Sequence, residues 1–167
     1  HYSAYVSLAE LYQRMGLDSE AISALQTAAD GYHKEGRKTD ALELLRQMAA
    51  LDPTNTTSRL KVAELLRQEG MTQEALVEYQ AVAEELESQQ ERDQLITVLE
   101  RILETKPDHL PSLTSLVRQL VAAGAYDRAE PLAVRALNAS ADPTQYELLI
   151  DLYARSGDEQ KLADATR

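Results

Sequence analysis

One element that occurs twice decides the fold of this chain, as RKTDALELLRQMAALDPTN at residues 37–55 and as ERDQLITVLERILETKPDH at residues 91–109. In both copies apolar residues recur at intervals of three and four, and a Pro-containing turn follows. That spacing places the apolar side chains on one face of an α-helix, and Pro favours the connection after it. The offset between the two copies also aligns Leu45 with Leu99 and Leu66 with Leu120. The sequence therefore predicts an array of helices with a long internal repeat, 16–69 and then 70–123.

Helical spacing continues along almost the whole chain, and no stretch alternates with period two for long enough to predict a strand. The breaks are Gly with polar neighbours, or Asp-Pro and Lys-Pro turns. The predicted fold class is all-α, with consecutive helices antiparallel because the connections are short. We predict nine helices and a short tenth piece, at residues 3–15, 18–35, 38–51, 56–69, 72–88, 92–105, 110–123, 126–138, 143–156 and 159–166.

Glycine is scarce, and five of the six glycines stand at predicted helix ends. These five are Gly16, Gly36, Gly70, Gly124 and Gly157. Glycine suits the left-handed backbone conformation that often follows a helix. The interval of 54 between the third and fourth is the sum of earlier intervals of 20 and 34, so a further boundary is predicted at Gln90. Gly31 alone falls inside a predicted helix, which indicates a close helix contact or a bend.

Composition and charge exclude several classes of function. The chain has 28 acidic and 17 basic side chains, a net charge of −11 and no Cys. A thiolate metal site or disulfide cannot form, and nucleic acid is not expected as the partner because phosphate binding needs basic residues. No apolar run is long enough for membrane insertion. The three histidines are not clustered, and neither a phosphate loop nor a nucleophile elbow is present. We therefore expect no catalytic residue, cofactor or metal, and no enzymatic activity.

The repeat has the spacing of a known helical-hairpin motif. In residues 2–35 the motif positions hold Tyr5, Leu8, Ala9, Tyr12, Gly16, Ala21, Leu25 and Ala28. Related sets begin at residues 22, 56, 110 and 143. This pattern resembles the tetratricopeptide repeat (TPR), in which about 34 residues form two antiparallel helices. The resemblance implies a right-handed solenoid and a single array over residues 1–167. Its units are about 2–35, 22–55, 56–89, 76–109, 110–143 and 143–167, with helices 18–35 and 72–88 shared.

The resemblance also implies a function. TPR proteins are interaction scaffolds, so we expect a protein or peptide partner in the groove of the array. The style of the repeats is similar to bacterial TPR scaffolds in motility, pilus or secretion assembly, some of which engage a small GTPase. Two alternatives stay open, a structural spacer or self-association module and a sensor domain for a small ligand or peptide. Because the chain starts at His1 directly in helical sequence, we expect it to be a piece of a larger protein, of cytoplasmic location.

A candidate partner site follows from counting helix directions. Antiparallel helices alternate up and down, so helices 3–15, 38–51, 72–88, 110–123 and 143–156 share one direction and are expected to line the concave face. The positions facing a groove there would be Val6, Glu10, Gln13, Thr114, Arg118, Val121, Asp151 and Arg155. These side chains suit a partner segment of mixed or basic charge. Some TPR proteins clamp a chaperone's carboxylate tail from mid-helix positions, but Glu10, Glu64 and Asp151 stand there, with Arg118 the exception, and would repel it.

Roles are also predicted for a cluster of glutamates and for six tyrosines. Glu84, Glu85, Glu87 and Glu91 form the strongest local acidic concentration. They are interpreted as a solvated surface or as a patch that steers a basic partner. Six tyrosines fall on motif positions and are predicted to pack between helices, namely Tyr5, Tyr12, Tyr32, Tyr79, Tyr146 and Tyr153.

Overall fold

The computed structural model describes residues 1–166, and over that range the chain folds into ten α-helices and no strand. The helices are α1 (Tyr2–Arg14), α2 (Asp18–Lys34), α3 (Lys38–Leu51), α4 (Thr56–Gln68), α5 (Thr72–Ser88), α6 (Arg92–Thr105), α7 (Leu110–Ala122), α8 (Tyr126–Ala139), α9 (Pro143–Ser156) and α10 (Glu159–Ala165). The all-α fold class is confirmed, and every predicted helix boundary lies within one residue of the observed one.

The helices repeat with a constant offset along the chain. The first residues of α1, α4 and α7 are 2, 56 and 110, and those of α2, α5 and α8 are 18, 72 and 126. Likewise α3 and α6 begin at residues 38 and 92, again 54 apart. We call this spacing the long offset. A residue of one helix can therefore be compared with its equivalent one or two long offsets further on. The α9–α10 hairpin repeats α7–α8 at an offset of 33.

The helices group into two compact units, His1–Glu85 and Leu86–Arg167. In the first unit α1 packs against α2, α2 against α3, and α3 against α4. In the second unit the sequence neighbours from α6 to α10 pack against one another, and α7 also contacts α9. Each helix has an apolar face that it cannot bury alone, so these contacts between neighbouring helices form the core.

Small residues let the helices approach closely. Ala21, Ala41, Ala75 and Ala129 each follow a helix-ending glycine by five positions and are completely buried. Gly31 is buried within α2, and a Cβ at this position would collide with the Tyr2 ring of α1. The close-contact interpretation of this glycine is therefore confirmed.

The predicted boundary at Gln90 is also present. Gln90 has a φ of 60° and is the only non-glycine with a positive φ among residues 1–166. The next amide, Glu91 N–H, donates to the Leu86 carbonyl at 3.0 Å, as Met71 N–H donates to the Leu66 carbonyl at 2.9 Å after Gly70. Gln90 thus occupies the glycine position of an ordinary helix ending.

The tyrosine predictions are partly wrong. Tyr32 and Tyr79 are buried as predicted, whereas Tyr5 and Tyr146 are 42% and 45% exposed. These two tyrosines are equivalent residues of α1 and α9, at a position where Arg59 stands in α4. The equivalent residue of α7, Leu113, is 1% exposed, so the exposure of this position differs from one helix to another.

Candidate functional site

A groove between α7 and α9 gathers half of the predicted partner-binding residues. Its volume is about 320 Å³. Its lining residues are Arg118, Val121 and Ala122 of α7 with Thr144, Glu147, Leu148, Asp151 and Arg155 of α9. Four of these eight, Arg118, Val121, Asp151 and Arg155, were predicted from the sequence. The groove is therefore a real cleft between two helices that repeat each other along the chain.

The charges in this α7–α9 groove are mixed. The Nε of Arg155 donates to Oδ1 of Asp151 at 2.7 Å, and this bond raises the pKa of Arg155 above its ordinary value. Arg118 and Glu147 form no hydrogen bond or ion pair with any other described residue. Among its described lining residues the groove thus offers one free cation and one free anion beside an internally neutralised pair. Val121 and Leu148 supply buried apolar surface between them.

The two helices of this groove are tied together near their first turns. Thr114, a predicted site residue, donates its hydroxyl to Oε1 of Gln145 at 3.2 Å. Gln145 is one of three buried polar residues within residues 1–166, with Ser58 and Ser112, and all three occupy the third position of equivalent helices. Thr114 therefore fixes α7 against α9 and lies outside the lining of the groove.

The remaining predicted site residues belong to α1. Glu10 is exposed, while Val6 and Gln13 are half-buried. All three lie in the first compact unit, and the α7–α9 groove is formed without them.

A second groove, which the sequence prediction missed, lies between α2 and α4. Its volume is about 390 Å³ and its walls are mainly apolar. The apolar lining consists of Ala29, Leu45, Leu60 and Leu65. The polar lining consists of Asp30, His33, Thr57, Lys61 and Glu64. A cleft of this size and polarity is typical of a site for an apolar side chain or a small ligand.

Glu64 is held rigidly at the wall of this α2–α4 groove. The hydroxyl of buried Tyr79 donates to Oε1 of Glu64 at 2.7 Å, and Nη2 of Arg67 donates to Oε2 at 2.8 Å. Burial and the hydrogen bond to the carboxylate raise the pKa of Tyr79 to about 12. Because both oxygens of Glu64 are engaged, this carboxylate shapes the wall and is already neutralised on the protein side.

Helix counting explains why this groove was missed. Strict alternation puts helices 18–35 and 56–69 on one side and 38–51 on the other, and the partner site was expected only on the side of 38–51. The observed groove has α2 and α4 as its walls and only Leu45 from α3. A signal was present in the sequence, since Glu64 is the equivalent of Arg118 at the long offset. Both residues line a groove in their own unit.

The acidic cluster that the sequence singled out lies at the surface. Glu84, Glu87 and Glu91 are exposed and Glu85 is half-buried, so a steering role for a basic partner stays a prediction. Within residues 1–166 no group of three or more His, Asp or Glu side chains could hold a metal ion. Likewise, none of the described helices has the length and apolar character needed to span a bilayer.

This chain is similar in fold to known helical-repeat structures. No family model matches the chain. An aligned stretch is 28% identical to human protein O-mannosyl-transferase TMTC1, covering 64% of this chain and 15% of that protein. A crystal structure of MamA is similar with a TM-score of 0.50 and 14% identity, over 89% of each chain. A tetratricopeptide repeat protein from Parabacteroides merdae has a TM-score of 0.47 and 16% identity, over 86% of this chain and 63% of its own.

Proposed function

Because this chain has the tetratricopeptide-repeat fold, we propose that it is a non-catalytic scaffold that binds a protein or peptide partner through the α7–α9 groove. The observation that carries the proposal is the convergence of Arg118, Val121, Asp151 and Arg155 in one cleft. Helical-repeat proteins commonly use the extended surfaces between repeats for binding.

The charge of the groove favours a particular kind of partner. Glu147 is a free carboxylate, so a basic residue of the partner would gain a new ion pair there. Arg118 in turn favours a nearby acidic side chain or a carbonyl group. A small apolar side chain between these charges would contact Ala122, the exposed apolar residue of the lining. The partner segment is therefore proposed to be short, of mixed charge, and to include a basic residue.

The wider role of the chain is proposed from resemblance. The style of the repeats supports a place in bacterial motility, pilus or secretion assembly, with a small GTPase as one class of partner. A cytoplasmic location is part of the same proposal. The single-array organisation, with α2 and α5 each shared between two units, is supported by the long offset of the helices.

The experiment that tests binding uses a photo-crosslinking amino acid at Thr144, an exposed residue of the groove lining. The crosslinked partner is identified, purified and titrated against the wild-type chain and the Arg118→Glu and Glu147→Arg variants. Each reversal replaces one attraction by a repulsion, so each is expected to weaken binding by about three- to tenfold.

The matched control is Arg46→Glu, which makes the same change of charge at an exposed position of α3 outside the groove. This control is expected to bind as the wild type does. Equal affinities for all the variants would contradict the groove as the binding site. A complete lack of crosslinked partner would favour the alternative of a structural spacer or self-association module.

A second candidate function is a sensor for a small apolar ligand or peptide, and the α2–α4 groove of about 390 Å³ favours it. The test is a melting-temperature screen of apolar compounds, since a ligand at 100 times its Kd stabilises by about 2.7 kcal/mol. Leu60→Thr is the matched groove variant because Thr114 occupies the equivalent position in α7. A ligand of this groove would lose its effect in the variant, whereas an unchanged shift would exclude this groove as its site.

A further inference from the structure

Helix α1 carries an apolar stripe, formed by Tyr5, Leu8, Leu11, Tyr12 and Met15, that the first unit leaves uncovered. Leu11 and Met15 are 51% and 61% exposed, and Leu8 and Tyr12 are half-buried. Tyr5, Leu8 and Tyr12 form one wall of an open groove of about 490 Å³. The opposite wall is the face of α2 that includes Glu20, Ser23 and Thr27. We name this cleft the α1–α2 groove.

Part of this stripe is covered at the equivalent positions elsewhere in the chain. The equivalents of Leu8 are Val62 in α4 and Leu116 in α7, which are 0% and 1% exposed. The equivalent of Leu11 in α4 is Leu65, which is 8% exposed. The exposure of Leu8 and Leu11 relative to Val62 and Leu65 is therefore a difference of surroundings and not of residue type, whereas the equivalents of Met15, Glu69 and Ala123, are exposed as well.

The covering element at the equivalent faces is a helix. Helix α3 packs against α4, and α6 packs against α7. Both covering helices bury apolar side chains at matching positions, Leu45 and Leu99 on one turn and Met48 and Ile102 on the next. The internal repeat thus shows which kind of element fits such a stripe: an amphipathic helix with apolar residues at intervals of three and four.

The charges at the equivalent faces indicate which charged residue the covering helix should carry. In the second unit Nη2 of Arg128 on α8 donates to Oε1 of Glu100 on α6 at 2.8 Å. The equivalents of these two residues are Glu74 on α5 and Arg46 on α3, so the charges are exchanged but still opposite. In α2, Glu20 occupies the position that Arg128 occupies in α8. The Glu20 side chain lies in the α1–α2 groove and pairs with no other described residue. If a helix packed in this groove as α6 packs against α8, its residue at the position of Glu100 would lie near Glu20. A basic residue at that position would form an ion pair with Glu20.

We propose that the α1–α2 groove binds an amphipathic helix of a partner protein, with apolar residues spaced as in α3 and a basic residue facing Glu20. The interaction surface is separate from the α7–α9 groove and does not depend on the function proposed for it. The α1 stripe supplies the apolar contact, and Glu20 supplies selectivity for the basic residue.

The probe is a capped, fluorescent peptide of residues 37–53, which is the α3 segment with Arg46 at the selective position, titrated against the whole chain. Binding is expected by fluorescence anisotropy. A peptide with Arg46→Glu is expected to bind about threefold more weakly to the wild type, from the usual strength of an exposed ion pair. The chain variant Glu20→Arg is expected to reverse this preference, which a purely apolar contact would not do.

Two chain variants separate this groove from other surfaces. The double variant Tyr5→Glu with Thr27→Glu changes one exposed residue on each wall of the groove, and is expected to weaken binding at least about tenfold. The control is Val77→Glu, since Val77 is 62% exposed on α5. Unchanged binding by the double variant, equal binding of both peptides to both chains, or a mass that doubles with concentration and reverts in the double variant would each overturn the proposal. The last of these outcomes would assign the groove to a second copy of the chain.

Discussion

At the scale of single residues, equivalent positions along the repeat show how the same structural task is met by different chemistry. The N-cap residues of α4, α7 and α9 are Asn55, His109 and Asp142. Asn55 and Asp142 accept hydrogen bonds from backbone amides of their helices, whereas the ring of His109 bonds Oγ of Ser112 at 2.8 Å. Helix α7 therefore lacks the side-chain cap that its two equivalents have.

His109 gives a prediction about pH. Burial first, and the positive charge of Lys106 second, lower the pKa of His109 below its ordinary value. The unfolded chain therefore binds a proton more readily than the folded chain, and stability falls as the pH drops from the ordinary pKa through the lowered one. Replacement by Asn, the residue of the equivalent cap in α4, removes this loss and restores a cap worth about 1 kcal/mol.

The measurement is the free energy of unfolding of wild type and His109→Asn by urea, from about pH 8 to about pH 5. The variant is expected to be the more stable, with the larger advantage at the acidic end. Parallel pH profiles for the two proteins would show that His109 does not contribute this dependence.

Gln90 gives a second prediction at this scale. Its φ of 60° is a conformation that side chains with a Cβ adopt at a cost of about 1 kcal/mol, and five equivalent helix ends use glycine. Gln90→Gly is therefore expected to raise the free energy of unfolding by up to about 1 kcal/mol, part of which the added freedom of the unfolded chain offsets. Urea denaturation measures the change. Gln89→Gly, one residue earlier, is the control and should not stabilise the chain, because Gln89 does not have a positive φ.

At the scale of elements, the helices differ in how firmly they are held. Helix α10 is short, and none of its residues is buried. Its attachment is polar, through Nζ of Lys161, which lies 2.6 Å from Oε1 of Glu130 and 5.6 Å from the centre of the Tyr153 ring. Exposed contacts of this kind contribute little, so we expect α10 to be the least stable helix of the second unit.

Hydrogen exchange tests this difference between helices. The amides of α10 are expected to exchange faster than those of α9, which buries Leu148, Leu149 and Leu152. Lys161→Ala is expected to increase the rate in α10 and to leave α9 unchanged. Protection of α10 equal to that of α9 would contradict the ranking.

At the scale of the whole molecule, the sequence predicted most of the fold and about half of the α7–α9 site. Helix bounds were predictable because Gly, Pro and apolar periodicity are local signals that each helix end carries for itself. Counting directions places α2 and α4 on the same side but does not predict which side presents a groove, since that depends on packing between elements distant in sequence. The same holds for Leu8 and Val62, which are equivalent in sequence but differ in exposure because a helix covers only the second.

The constant long offset of the helices has a consequence for the gene. A duplication or deletion of one whole repeat, made of complete codons, would keep the reading frame and join each helix to an equivalent successor. Glu64 and Arg118 show that copies related in this way can then diverge in the charge that they present to a groove. Unequal recombination between the copies is thus a route by which such a chain could gain or lose a whole binding surface in one genetic event.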